Sequence, residues 1–197
     1  MPIQAGVVLV TKFVAASSDK FSGFINYIDR YEATRAKNFE KYNAFESPDG
    51  IQADSWAEFE NYTDYMSNPE KATGLFTETK DRLSAEDKAA VKEVFNLAQQ
   101  NGSLMWQTVI SFDNRWLEEN GIMDHEHKIL NEQKLRDATR GCMKRMLDKE
   151  GLSESVLWTA DIHINTDNVH IHVATVEPFP MREYPGARSG VRTRFAP

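Results

Sequence analysis

Residues 156–178 read VLWTADIHINTDNVHIHVATVEP, and their alternation decides the fold. Two runs of alternating apolar residues flank Asn165-Thr166-Asp167-Asn168. These four are residue types that favour tight turns, so the stretch is expected to form a β-hairpin. Strand side chains alternate with period two. On the first run Val156, Trp158, Ala160, Ile162 and Ile164 therefore share one face, leaving Asp161 and His163 on the other. On the second run Val169, Ile171, Val173 and Thr175 share a face, with His170 and His172 opposite. Pairing Ile164 with Val169 across the turn sets His163 against His170 and Asp161 against His172. Directly opposed Cβ atoms lie roughly 4.5–5.5 Å apart, so this register brings three imidazoles over one patch of sheet. Three of the chain's five histidines fall within these ten residues. Neutral imidazoles with open coordination positions suit a divalent metal that must also hold substrate. A His-x-His pair on a strand is otherwise surface or core filling; a third histidine on the same face, with carboxylates nearby, favours the metal.

The composition bounds what such a hairpin can belong to. A chain of 197 residues is long enough for one sizeable α/β core, and nothing suggests a second complete domain. No apolar run is long enough for a membrane span, and the opening MPIQAGVVLVTKF lacks a signal-peptide pattern. Membrane insertion is not expected. A single cysteine, Cys142, excludes an internal disulfide framework and fits a reducing cytoplasm; core filling on a helix explains it better than catalysis does. The balance of 23 basic against 30 acidic residues, net −7, runs against most nucleic-acid-binding domains. The local distribution of charge matters more than this sum.

Upstream, residues 3–14 are a β-branched run expected as a buried strand. Ser17-Ser18-Asp19 supplies a helix N-cap. Phe21, Phe24, Ile25 and Ile28 then recur at helical spacing, the core face of a helix running past Arg30. At ~100° per residue Tyr31 falls beside Phe24 and Ile28, whereas Tyr27 sits at the edge of the apolar stripe and is freer to act. Arg30, Arg35, Lys37 and Lys41 form a short basic segment, either a solvated face or a phosphate-contacting one. Residues 43–82 are polar, acidic and rich in turn signals, with Phe45, Trp56, Phe59, Tyr62, Tyr65 and Phe76 interleaved. Such aromatics can stack unpaired bases, although core packing is their commoner use.

Ser84-Ala85-Glu86-Asp87 opens a helix through Gln100, ended by Asn101-Gly102. Residues 105–112 read as another strand and residues 114–120 as a short helix closed by Gly121. Residues 127–150 read as a longer helix ended by Gly151, with Leu135, Ala138, Cys142 and Met146 as its buried stripe. Arg136, Arg140 and Lys144 recur every fourth residue as an exposed basic row, solvated or in contact with DNA. His125 and His127 read as surface residues. The chain closes on a basic tail, residues 181–197, with Arg182, Arg188, Arg192 and Arg194; it either leads into further sequence or closes on a charged ligand.

In this order the chain resembles the MobP-class conjugative relaxases of the HUH endonuclease superfamily. The resemblance rests on His163-x-Asn-Thr-Asp-x-x-His170-Ile171-His172 as the three-histidine motif and on Asn26-Tyr27-Ile28-Asp29-Arg30 as the tyrosine motif. Tyr62-x-x-Tyr65-Met66-x-x-Pro69 and Gly74-Leu75-Phe76-Thr77 look like further landmarks of the group found in Gram-positive mobile elements. Family versions often carry Asp and Pro where this chain has Asn165 and Val169; the three histidines are intact.

The resemblance implies a site- and strand-specific DNA nickase. Its tyrosine, Tyr27 by position, attacks one phosphodiester at an origin of transfer and leaves a 5′-phosphotyrosyl link. His163, His170 and His172 would hold Mg²⁺ or Mn²⁺, with Zn²⁺ also compatible. Asp161 is a candidate partner of an imidazole, and Asp29 and Asp161 are the candidate proton acceptors. Arg30, Arg35, Lys37, Arg136 and Arg140 are the candidate DNA contacts. The implied partners are single-stranded or hairpin DNA, accessory relaxosome proteins and a type IV secretion coupling protein, in the cytoplasm. The implied architecture is α+β: a two-layer sandwich with a mainly antiparallel central sheet, helices packed on one side, the histidine hairpin in the middle, and a relaxase domain over residues 1–180. Three other readings stand beside it. Rolling-circle replication initiators use the same metal motif with a downstream tyrosine, here Tyr184, but chain order favours a relaxase. A non-cutting DNA-binding module would keep the fold, and a small-molecule metal hydrolase would need only the hairpin.

Overall fold

The computed structural model describes residues 6–30, 33, 74–164 and 166–181. The first strand, β1, is Val7–Val14, followed by helix α1, Lys20–Ile28. Helix α2, Ala85–Gln100, starts on a capping box in which Ser84 and Asp87 bond each other's backbone. Strand β2 is Met105–Phe112, and the short helix α3, Asn114–Glu119, is capped by Asp113. A small hairpin of β3, Met123–Asp124, and β4, Ile129–Leu130, leads into helix α4, Glu132–Glu150. Gly151 ends α4 at φ 64°, the left-handed conformation that favours glycine. Strands β5, Leu157–His163, and β6, His170–Val176, complete the chain of elements.

The sheet runs β1-β2-β6-β5, antiparallel throughout, so the α+β class and antiparallel sheet are as expected. Alternation along β6 sorts its two faces. Ile171 and Val173, with Ile110, Trp158 and Ile162, pack against Leu135, Met143 and Leu147 of α4 and Leu117 of α3. This is the expected helical layer on one side. On the other face, Met105, Ala174 and Val176 meet Phe21, Phe24, Ile25 and Ile28 of α1 and Val91, Phe95 and Ala98 of α2. A nine-residue helix such as α1 is shorter than the ~12–15 residues an isolated helix needs. Its four buried apolar side chains, each contributing on the order of 1.5–3 kcal/mol, hold it on the histidine face.

Several elements differ from expectation, each for a physical reason. β1 is exposed along its length, not buried, because among the described residues it pairs only with β2 and forms the sheet's edge. Only β6 of the histidine hairpin is central; among the described residues β5 lies at the opposite edge, met by a single bridge between Ala160 and Phe76. α1 stops at Ile28, so Arg30 lies beyond it. α4 begins at Glu132 and not at His127, since the β3–β4 hairpin occupies that stretch and Asn131 caps the helix by accepting from Lys134 N–H at 2.9 Å. Its buried stripe is Leu135, Thr139, Met143 and Leu147, with Ala138 exposed. Thr139 enters the core because its hydroxyl donates to the Leu135 carbonyl at 2.7 Å and needs no other partner.

Candidate metal centre

The histidine cluster is built by strand register. His163 pairs with His170 and Asp161 with His172 across β5 and β6, so the three imidazoles share one face. Their ring centroids lie 5.3, 4.6 and 5.1 Å apart, and one ligand atom from each lies within 4.8 Å of the others. Burial lowers all three pKa values; His163 is pushed down to about 4 and His172 to about 3. At neutral pH these are lone-pair donors, the form a metal takes.

Two of the three rings have a partner that fixes their tautomer. His163, fully buried, donates Nε2–H to the Ile28 carbonyl at the end of α1, at 2.5 Å. Its Nδ1 is left with no hydrogen-bond partner among the described residues. His170 Nδ1 lies 3.2 Å from both the Asn168 carbonyl and the Thr166 hydroxyl, which directs its Nε2 outward as acceptor. His172 Nδ1 is buried and unpartnered among the described residues. Metal-ligating histidines commonly donate their second N–H to a carbonyl or carboxylate in this way. Orphaned, buried, neutral nitrogens on His163 and His172, with the His170 ring converging on them, fit a divalent ion with open coordination positions.

Tyr27 stands on the same face. Its ring meets His172 edge-on at 5.7 Å and stacks on Phe24 at 5.6 Å, while remaining 46 % exposed. The Arg30 guanidinium sits 4.2 Å from the centre of the Tyr27 ring, a cation–π contact. Among the described residues no carboxylate pairs with Arg30, and its charge helps lower the pKa of all three histidines.

Asp161 lies opposite His172 and is buried. Its Oδ1 accepts the Ile162 N–H at 2.7 Å and Oδ2 has no partner among the described residues. Desolvation pushes its pKa up to about 8. The carboxyl group fits because residue 74 is glycine: a Cβ there would overlap both Asp161 oxygens. Gly74→Ala is therefore expected to displace this carboxyl group and destabilise the protein by about 1–3 kcal/mol, the usual range for overpacking a buried site. A urea melt measures it, and unchanged stability would mean that Asp161 is free to swing aside.

The remaining candidates are placed elsewhere. Arg136 and Arg140 do not form an exposed row. Arg136 is buried and bonds Glu132 at 2.6 Å; Arg140 bonds Asp81 at 2.7 Å and Asp137 at 3.1 Å. Both guanidinium groups lie beside the Phe76 ring, and α4 packs on the face opposite the histidines. Carboxylates match their charge, and neither arginine is brought to the cluster. Lys144 is exposed and pairs with Asp148. His127 is exposed and bonds Asp124 at 2.8 Å, in keeping with a surface role. Arg35, Lys37, Lys41, Tyr31, Tyr62, Tyr65, Tyr184 and the arginines of the tail lie outside the described residues. Sequence reasoning named Gly74 as a family landmark and Thr166 and Asn168 as turn residues, but missed their roles at the site and missed the Ile28 carbonyl. Only Thr166, a hydroxyl four residues ahead of a ligand in a turn, carried a readable signal.

A family model described as MobL relaxases matches residues 4–194. No curated protein and no solved structure matches the chain.

Proposed function

The chain belongs to the MobL relaxase family, and from that membership we propose that it is a MobP-class member of the HUH endonuclease superfamily that nicks and rejoins one DNA strand at an origin of transfer. The observation that carries this reading is the position of Tyr27, edge-on to His172 on the face that holds all three histidines.

Tyr27 is the nucleophile. Its Oη bonds to the scissile phosphorus as the bond from phosphorus to the 3′-oxygen breaks; the phenolic proton leaves and the departing 3′-oxygen ends as a hydroxyl. One phosphodiester replaces another, so the free 3′-hydroxyl can later attack the tyrosyl ester and reseal the strand. His163, His170 and His172 would hold a divalent cation, Mg²⁺ or Mn²⁺ with Zn²⁺ also compatible, which when bound neutralises phosphodiester charge and polarises the scissile P–O bond. Arg30 offers a guanidinium beside the nucleophile to a non-bridging phosphate oxygen; Arg35 and Lys37 continue that basic run in sequence. Asp161 stands opposite His172 in the strand register and is the candidate partner of that imidazole, although the two make no hydrogen bond here. Its raised pKa of about 8 keeps it largely protonated at neutral pH, suiting it to hold a hydrogen bond more than to take the phenolic proton. The partners follow from this reading: origin DNA, accessory relaxosome proteins and a type IV coupling protein, in the cytoplasm. Among the described residues no helix is long and apolar enough to cross a membrane.

A covalent-adduct assay tests the reading. Single-stranded oligonucleotides tiled across an origin of transfer, incubated with the protein and Mn²⁺, should give a protein–DNA band on a denaturing gel that chelator abolishes. DNA binding without any adduct would instead make the chain a non-cutting module.

A further inference from the structure

The C-terminal end of α1 has two tasks within two residues: it presents Tyr27, and its last carbonyl, on Ile28, accepts the His163 N–H. Small shifts of that end would move the nucleophile relative to the histidines. The next residue, Asp29, caps α1 and has its side chain almost fully buried, paired with Lys88 of α2. Lys88 is itself largely buried, at 22 % side-chain exposure.

Both residues oppose the dipole of their own helix. An acidic group is unfavourable at a helix C-terminus, where Asp29 sits, and a basic group is unfavourable near an N-terminus. Lys88 stands within four residues of the start of α2, beside the acidic pair Glu86 and Asp87. Local helix energetics selects neither residue, so the explanation lies between the helices. The apolar residues of α1 fix which face it buries. The ion pair adds a directional tie between α1 and α2 at the end where Tyr27 sits. The titratable groups facing Lys88 are Asp29, Lys92 and the largely protonated Asp161. This pairing also occupies Asp29, which leaves it poorly suited as proton acceptor for Tyr27.

We propose that the Lys88–Asp29 ion pair is a positioning brace that sets Tyr27 against the histidine cluster, with neither residue touching DNA. The proposal rests on Tyr27 as nucleophile and deepens that reading. Asp29→Asn and Lys88→Met should each slow adduct formation at saturating oligonucleotide by about tenfold or more, while the Kd for the oligonucleotide and for Mn²⁺ stays within about twofold of wild type. Lys88→Arg, which keeps the pair, should stay near the wild-type rate. The reciprocal exchange, Asp29→Lys with Lys88→Asp, aligns both charges with the helix dipoles and should recover rate relative to either single variant.

A second readout does not depend on nicking. Mn²⁺ bound at the histidines should broaden the Tyr27 ring NMR signals, assigned by their absence in Tyr27→Phe, and Lys88→Met should weaken that broadening at equal metal occupancy. Wild-type broadening without any adduct would defeat the nicking reading and still support the brace if Lys88→Met weakens it. Rates and broadening unchanged in both single variants would overturn the brace. So would losses that run in parallel with metal affinity and thermal stability, because they would mark a general packing role.

Discussion

Tyr27→Phe should form no detectable covalent adduct with any origin oligonucleotide, while binding single-stranded DNA and Mn²⁺ within about twofold of wild type. The substitution removes one oxygen and leaves the ring. Stacking on Phe24, the edge contact to His172 and the Arg30 cation–π contact are all made by the ring, so each survives. The position is 46 % exposed, and surface changes of this kind usually shift stability by less than about 0.5 kcal/mol. The chemistry is lost because phenylalanine offers no atom to bond to phosphorus. A fall of at least about 10³-fold, roughly 4 kcal/mol in the barrier at ~1.36 kcal/mol per decade, separates a nucleophile from a residue that merely lines the site. The measurement is adduct yield over time on denaturing gels, with DNA affinity by fluorescence anisotropy alongside. An adduct that persists would pass the role to another tyrosine, with Tyr31 next in sequence; a parallel collapse of DNA affinity would make Tyr27 a binding residue instead.

The part of this site made by strand alternation was legible, and the part made by tertiary contact was not. Period-two patterning over residues 156–176 fixed which side chains share a face, and the turn at 165–168 fixed the register; His163 opposite His170 and Asp161 opposite His172 follow directly. Tyr27 at the edge of an apolar helical stripe was equally readable, since a residue there can point along the sheet surface. The Ile28 carbonyl was not, because a backbone acceptor has no residue-type signature. Lys88 was hidden for a related reason: only the packing of α2 beside α1 brings it to Asp29. Arg136 and Arg140 misled because spacing of four shows that residues share a helix face without showing which neighbours that face meets. Here Glu132, Asp81 and the Phe76 ring enclose it. The same limit applies to β1. A β-branched run announces a strand, but whether a second partner covers it is decided by strand order.

Removing the histidines one at a time should separate metal binding from folding. With Mn²⁺ at about 100 times its Kd, a single-site ligand adds about 2.7 kcal/mol to the folded state. At roughly 2–4 °C per kcal/mol for a domain of this size, wild-type Tm should rise by about 5–10 °C and return to baseline with chelator. Substituting any of the three by alanine should remove most of that rise and bring adduct formation to background. The metal-free proteins should nevertheless differ among themselves. His163 is fully buried and donates to the Ile28 carbonyl, so His163→Ala leaves both a cavity and an unsatisfied acceptor at the end of α1. Its metal-free form should melt several degrees below wild type, in line with about 1–3 kcal/mol for stranding a buried polar group. His170 lies at the turn end of the hairpin, half-exposed, and its bonds are to the turn at Thr166 and Asn168; His170→Ala should melt close to metal-free wild type. Differential scanning fluorimetry with and without Mn²⁺ reads both quantities in one titration. Equal metal-induced shifts in wild type and in all three variants would place the ion elsewhere and remove the histidines from the mechanism. If His170→Ala proves as unstable as His163→Ala without metal, the cluster is structural first, and its neutral imidazoles are core filling that happens to share a face.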